Sequence, residues 1–132
     1  MSRERRRISS GTHTEEVFGY SRAVRVGDAI YVSGTTAMAA DGPIGGADVA
    51  EQTRECLRRI ESALEHAGAG LADVVRTRIF VTDINTWRDV GRVHRALFGG
   101  APPASTIVEV ARLFDPRLLV EIEVDAISSR RR

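Results

Sequence analysis

An α+β fold, one β-sheet with two helices on the same face, is what this chain predicts. Three observations carry the expectation. Short runs near both ends alternate apolar and polar residues, two longer central runs carry apolar residues at helical spacing, and Gly, Pro and Asp breaks separate them. The resulting order is strand-strand-helix-strand-helix-strand-strand, which suits a sheet covered on one side.

Residues 1–15 show no periodicity and include Arg3, Arg5, Arg6 and Arg7. The expected division is a flexible basic segment over 1–15, a folded domain over 16–128 and a basic tail over 129–132 ending in Arg130, Arg131 and Arg132. Ser21–Val26 and Ala29–Gly34 are β-prone and joined by Gly27-Asp28, a hairpin signal. Asp48 with Glu51 three residues later forms a capping-box pattern. The helix it opens presents Val49, Thr53, Cys56, Leu57, Ile60, Leu64 and Ala67 as one stripe and stops at Gly68. Val74–Thr82 reads as a strand. Thr86 is the expected cap of a second helix, with Val90, Val93 and Leu97 inward and Gly99 as its stop. Pro102-Pro103 precedes a strand over Ser105–Arg112, and Asp115-Pro116 turns the chain into Leu118–Ile127.

Alternation then assigns faces. Val75, Ile79, Val81, Val108, Val110, Val120, Ile122 and Val124 are expected beneath the helices. The last two strands, read as neighbours, are expected to bring Glu109, Glu121 and Glu123 onto the other face, with Arg76, Arg78, Phe80, Ser105, Ile107 and Leu119. Such a face suits either solvent or a subunit interface; apolar residues among opposite charges favour the interface.

Composition narrows the functional classes. Hydrophobic residues make up 42% and charged residues 28% of the chain, and no apolar run approaches the ~20 residues of a membrane helix. The arginines near the start lack a following apolar stretch, so no secretory leader is expected and the cytoplasm is the default compartment. Cys56 is the only cysteine and falls in the core stripe, the place of a packed thiol rather than a nucleophile. The basic ends alone argue for nucleic acid; no basic helix or aromatic platform joins them.

Several segments resemble the Rid (YjgF-type) family of imine and enamine deaminases. They are Gly19-Tyr20-Ser21-Arg22-Ala23-Val24, similar to the family's Pro-Tyr-Ser-Gln-Ala-Val, then Ile30-Tyr31-Val32-Ser33-Gly34, Ile79-Phe80-Val81-Thr82-Asp83, and the run from Pro102 through Val124. The resemblance covers Gly19–Ile127. It implies a chorismate-mutase-like fold with a single mixed β-sheet, a homotrimer with pockets at its subunit interfaces, no cofactor, and a small-molecule substrate. It also implies Glu121 and Tyr20 as catalytic residues, with Ser33, Gly34, Gly91, His94, Ser105, Thr106 and Ile107 lining the pocket. Where the deaminating branch carries a carboxylate-binding arginine, this chain has Ser105; Gly91 and His94 stand for an asparagine and a tyrosine. Two alternatives stay open for Arg78, an anion anchor or an ion-pair partner of Glu109 and Glu123. His94 is either an acid/base group or a boundary residue. The expected function is hydrolysis of a small imine or enamine with release of ammonia, the alternative a trimer of the same fold that binds without turnover.

Overall fold

The computed structural model describes residues 4–129. A six-stranded sheet runs in the order β1-β2-β3-β8-β6-β7. Its strands are β1 (Arg5–Ile8), β2 (Ala23–Val26), β3 (Ala29–Thr35), β6 (Val74–Val81), β7 (Ala104–Glu109) and β8 (Val120–Ile127). A short hairpin, β4 (Met38–Ala39) and β5 (Gly42–Pro43), stands apart from it. The helices are α1 (His13–Phe18), α2 (Val49–His66) and α3 (Trp87–Phe98). β6 and β7 are parallel and the other main-sheet pairings antiparallel, so the sheet is mixed, as expected.

The N-terminal expectation is corrected. Within the segment read as aperiodic, Arg5–Ile8 pairs with β2, and α1 follows with Thr12 as its cap. A four-residue edge strand of three arginines and Ile8 is too short to show alternation, and α1 has fewer than two turns. Arg3 and Arg130–Arg132, counted among the basic ends, lie outside the described residues.

The hairpin at Gly27-Asp28 forms, with Gly27 at φ 60° in the first turn position. Asp48 caps α2 by accepting from the backbone N–H groups of Ala50 and Glu51. The predicted stripe of α2 is buried throughout and packs on β3, β8 and α3. The Thr86 side chain makes no cap. Asp83 caps the preceding turn instead, accepting from Asn85 N. On α3, Phe98 is buried and Leu97 is 45% exposed, reversing the expected inward residue.

The main correction concerns the last strands. β7 and β8 are not neighbours; β6 lies between them. β6, α3 and β7 form a strand-helix-strand unit, which returns its second strand parallel to and beside the first. Ile79 therefore stands opposite Ile107 and Val81 opposite Glu109. A one-residue change of face moves a whole side-chain set, so Ser105, Ile107 and Glu109 lie on the helix-covered side, where Ile107 packs on the core. Val108 is on the open side and 41% exposed. Val75 is displaced as well: the register shifts between Val74 and Arg76, burying Val74 and exposing Val75. β8 follows its expectation, with Val120, Ile122 and Val124 buried and Glu121 and Glu123 on the open face beside Phe80 and Arg78.

Candidate functional site

Glu121 is the centre of the first cluster. Val120 and Ile122 are fully buried on either side of it, so the strand cannot turn without losing core. Its carboxylate lies over Gly34, where a methyl group built on the glycine would collide with Oε2. Residues 33 and 34 fall in the irregular stretch of β3 between Val32 and Thr35, where the pairing with β8 shifts. That irregularity and the missing side chain together make room for the acid.

Arg22 closes the cluster. Its Nη2 donates to Gly34 O at 2.6 Å, and its guanidinium lies 5.8 Å from the Tyr20 ring centroid. Ser33 Oγ donates to Ser21 O at 2.7 Å and Ser33 N to Arg22 O at 3.0 Å, tying β3 to the chain that carries Tyr20. Gly19, at φ 86°, ends α1 and redirects the chain into Tyr20. Burial pushes the Glu121 carboxyl above its ordinary range, the Glu123 charge adds to this, and Arg22 partly offsets both. A half-buried carboxyl held this way can pass a proton at neutral pH more readily than an ordinary surface glutamate.

Gly34→Ala should test whether this space belongs to Glu121. The displaced atom is the tip of a flexible side chain, so the fold should survive at a cost of about 1 kcal/mol. A crystal structure of the variant should show the carboxylate rotated off β3. Glu121 unmoved in that structure would show that the close approach is unimportant.

The second cluster is on the other side of the sheet. Thr77 Oγ1 donates to Ser105 Oγ at 2.7 Å and lies 2.9 Å from His94 Nε2. Gly91, one turn earlier on α3, has open space where a side chain would project. Burial lowers the pKa of His94. The expectation that Ser105 and Ile107 share a face with Glu121 is thus corrected, because β7 pairs with β6 in the register that turns them toward the helices.

Arg78 forms an ion pair within the chain. It pairs with Asp125, at 3.3 Å, rather than with Glu109 or Glu123. Thr106 stands opposite Arg78 on the same open face. Glu109 instead accepts from Ile84 N at 3.0 Å. Cys56 is fully buried, its thiol pushed up to about 12 by burial, as befits a packed core residue.

Arg22 and Thr77 are the functional candidates that sequence reasoning missed. Signals for both existed: Arg22 occupies the place of the family's glutamine, and Thr77 is a hydroxyl on an otherwise aliphatic strand face. Among the described residues, no three His, Cys, Asp or Glu side chains cluster as metal ligands, and no helix is long and apolar enough to cross a membrane.

Comparison with known proteins agrees with this fold. A family model described as Endoribonuclease L-PSP matches residues 12–128. The 2-iminobutanoate/2-iminopropanoate deaminase of Escherichia coli K12 is 36% identical over 115 residues, covering 85% of this chain and 88% of the relative. A RutC family protein of Pyrococcus abyssi is 38% identical over 109 residues, covering 81% and 84%. Among solved structures, Rv2704 of Mycobacterium tuberculosis, described as a member of the YjgF/YER057c/UK114 family, shares 54% identity. It superposes with a TM-score of 0.88 over 95% of this chain and 100% of its own.

Proposed function

Because this chain belongs to the YjgF/Rid family, the family of the Endoribonuclease L-PSP model, we propose that it is a cofactor-independent homotrimer that hydrolyses a small imine or enamine and releases ammonia. The observation that carries the reading is the Glu121 carboxyl, held against Gly34 on the open face with its pKa raised. A protonated imine is already electrophilic at carbon. Glu121 takes a proton from a water molecule as the water oxygen bonds to that carbon. The same proton then goes to the nitrogen of the carbinolamine; as the C–N bond breaks, Glu121 takes the hydroxyl proton and passes it to the departing ammonia, which leaves a carbonyl product. Water and protonated imine become carbonyl and ammonium, with no change of oxidation state to assign elsewhere.

The arrangement of the clusters supports a composite pocket. Glu121 lies on the open face, and Ser105 and His94 on the helix-covered side near the edge strand β7. Within one chain the sheet separates them. A second copy docked on the open face brings its own β7 edge to the first copy's Glu121. The open face carries Phe80, Val108 and Tyr31 among Arg76, Arg78, Glu121, Glu123 and Asp125, a mixture that suits a subunit interface.

Sedimentation velocity at micromolar concentration should report about three chains, and a stable monomer would remove the composite pocket. Ammonia release from freshly generated imines tests the chemistry. Its absence across a panel of carboxylate-bearing and uncharged imines would leave ligand binding without turnover as the function of the pocket.

A further inference from the structure

Thr77 is fully buried on a strand face otherwise made of Ile79 and Val81, and a buried hydroxyl needs partners. It has His94 on one side and Ser105 on the other. A threonine hydroxyl carries one hydrogen. With that hydrogen given to Ser105, Thr77 accepts from His94, which places a hydrogen on Nε2. The donors therefore run in one direction, from His94 through Thr77 to Ser105. The Ser105 hydrogen is then left for a further acceptor, and Ser105 is an exposed residue on an edge strand.

Each link is fixed by a different element: α3 supplies His94, β6 supplies Thr77 and β7 supplies Ser105. The His94 ring also packs against the buried Phe98, with centroids 4.7 Å apart. Donors in series polarise one another, so the last hydroxyl is a better donor than an isolated serine. Burial shifts His94 downward, which disfavours a charged imidazole within the network.

We propose that Ser105, positioned by Thr77 and His94, determines specificity by donating to an uncharged acceptor on the substrate, a carboxamide, ester or ketone oxygen, in place of a carboxylate. The inference rests on the imine-processing reading for the identity of the pocket. A single neutral donor satisfies a carbonyl oxygen. A carboxylate leaving water needs a cation or several N–H donors, and here it meets neither from this network.

Binding of pyruvamide and of pyruvate to the full chain, followed by NMR titration, tests this without requiring turnover. The wild type should bind pyruvamide more tightly than pyruvate. Ser105→Ala, at an exposed position that leaves the core intact, should weaken pyruvamide by roughly three- to tenfold and leave pyruvate unchanged. Thr77→Val should do the same while Thr77→Ser restores the affinity, which a purely structural role for Thr77 would not produce. Ser105→Arg should reverse the preference. Equal or tighter binding of pyruvate, indifference of pyruvamide to Ser105→Ala, or no binding of either compound at tens of millimolar overturns the inference. Ammonia release measured beside it separates the two readings. Imine hydrolysis without preference for uncharged substrates sinks only the role of Ser105, whereas selective pyruvamide binding without any ammonia release keeps that role and sinks the hydrolysis.

Discussion

Turnover by Glu121→Gln is expected to fall by about 10²- to 10⁴-fold while the assembly and the fold persist. Glutamine keeps the shape beside Gly34 and removes the group that accepts a proton. The substitution should also stabilise the chain. The folded state raises the Glu121 pKa, so the ionised form is disfavoured by folding and the wild type loses stability as pH rises above the carboxyl's unfolded value. Glutamine is free of that penalty. The thermal midpoint of the variant should therefore exceed that of the wild type near pH 7, and the difference should shrink as pH falls through the carboxylate range. Full activity of Glu121→Gln on a substrate that the wild type turns over would remove the catalytic assignment. A lower midpoint at pH 7 would show that the carboxylate is stabilised where it sits.

Glu123, two positions along the same face, separates the chemical role from the electrostatic one. It stands opposite Arg78, and its charge adds to the shift at Glu121. Glu123→Gln should lower the Glu121 pKa with a much smaller effect on turnover, visible as a displaced acid limb in the pH-rate profile.

Local features of the fold were legible because they are written in single elements. The α2 stripe, the Gly27-Asp28 hairpin and the alternation in β8 each depend on neighbours a few residues away. β7 was misplaced for the opposite reason. Its alternation was plain, but which half faces the core is fixed by its register against β6, and that register comes from the α3 crossover. Reading Asp115-Pro116 as the turn between two adjacent strands places β7 next to β8, although residues 110–119 separate them.

The candidate site divided along the same line. Tyr20, Ser33, Gly34 and Glu121 were found through short motifs and fall together through Arg22 and the irregularity in β3. Ser105 and His94 were found in sequence, but their link through Thr77 exists only once β6, β7 and α3 pack. The expected ion-pair partners of Arg78, Glu109 and Glu123, give way to Asp125, which alternation puts on the same face but which Arg78 reaches diagonally across the β6–β8 register.

The largest loss of stability is expected from a residue that sequence reading passed over, Arg25. It is 3% exposed in the middle of β2, where an arginine should be costly. Its guanidinium donates to Ala67 O at 2.7 Å, Ser128 O at 2.8 Å and Gly27 O at 2.9 Å. Those acceptors end α2, follow β8 and form the β2–β3 turn, so one side chain ties together the ends of three elements. The Ala67 carbonyl belongs to the C-terminus of α2, where a cation also complements the helix dipole. Arg25→Ala leaves the two buried carbonyls, Ala67 O and Ser128 O, without these donors at about 1–3 kcal/mol each, so a total near 2–6 kcal/mol is expected. For a domain of this size that corresponds to a fall in thermal midpoint of roughly 10–20 °C, measured at fixed protein concentration because assembly adds to stability. Arg25→Lys retains the charge but not the fork, and should recover only part of the loss. A midpoint within a few degrees of wild type for Arg25→Ala would mean that water replaces the guanidinium at these carbonyls and that the edge of the sheet is open to solvent.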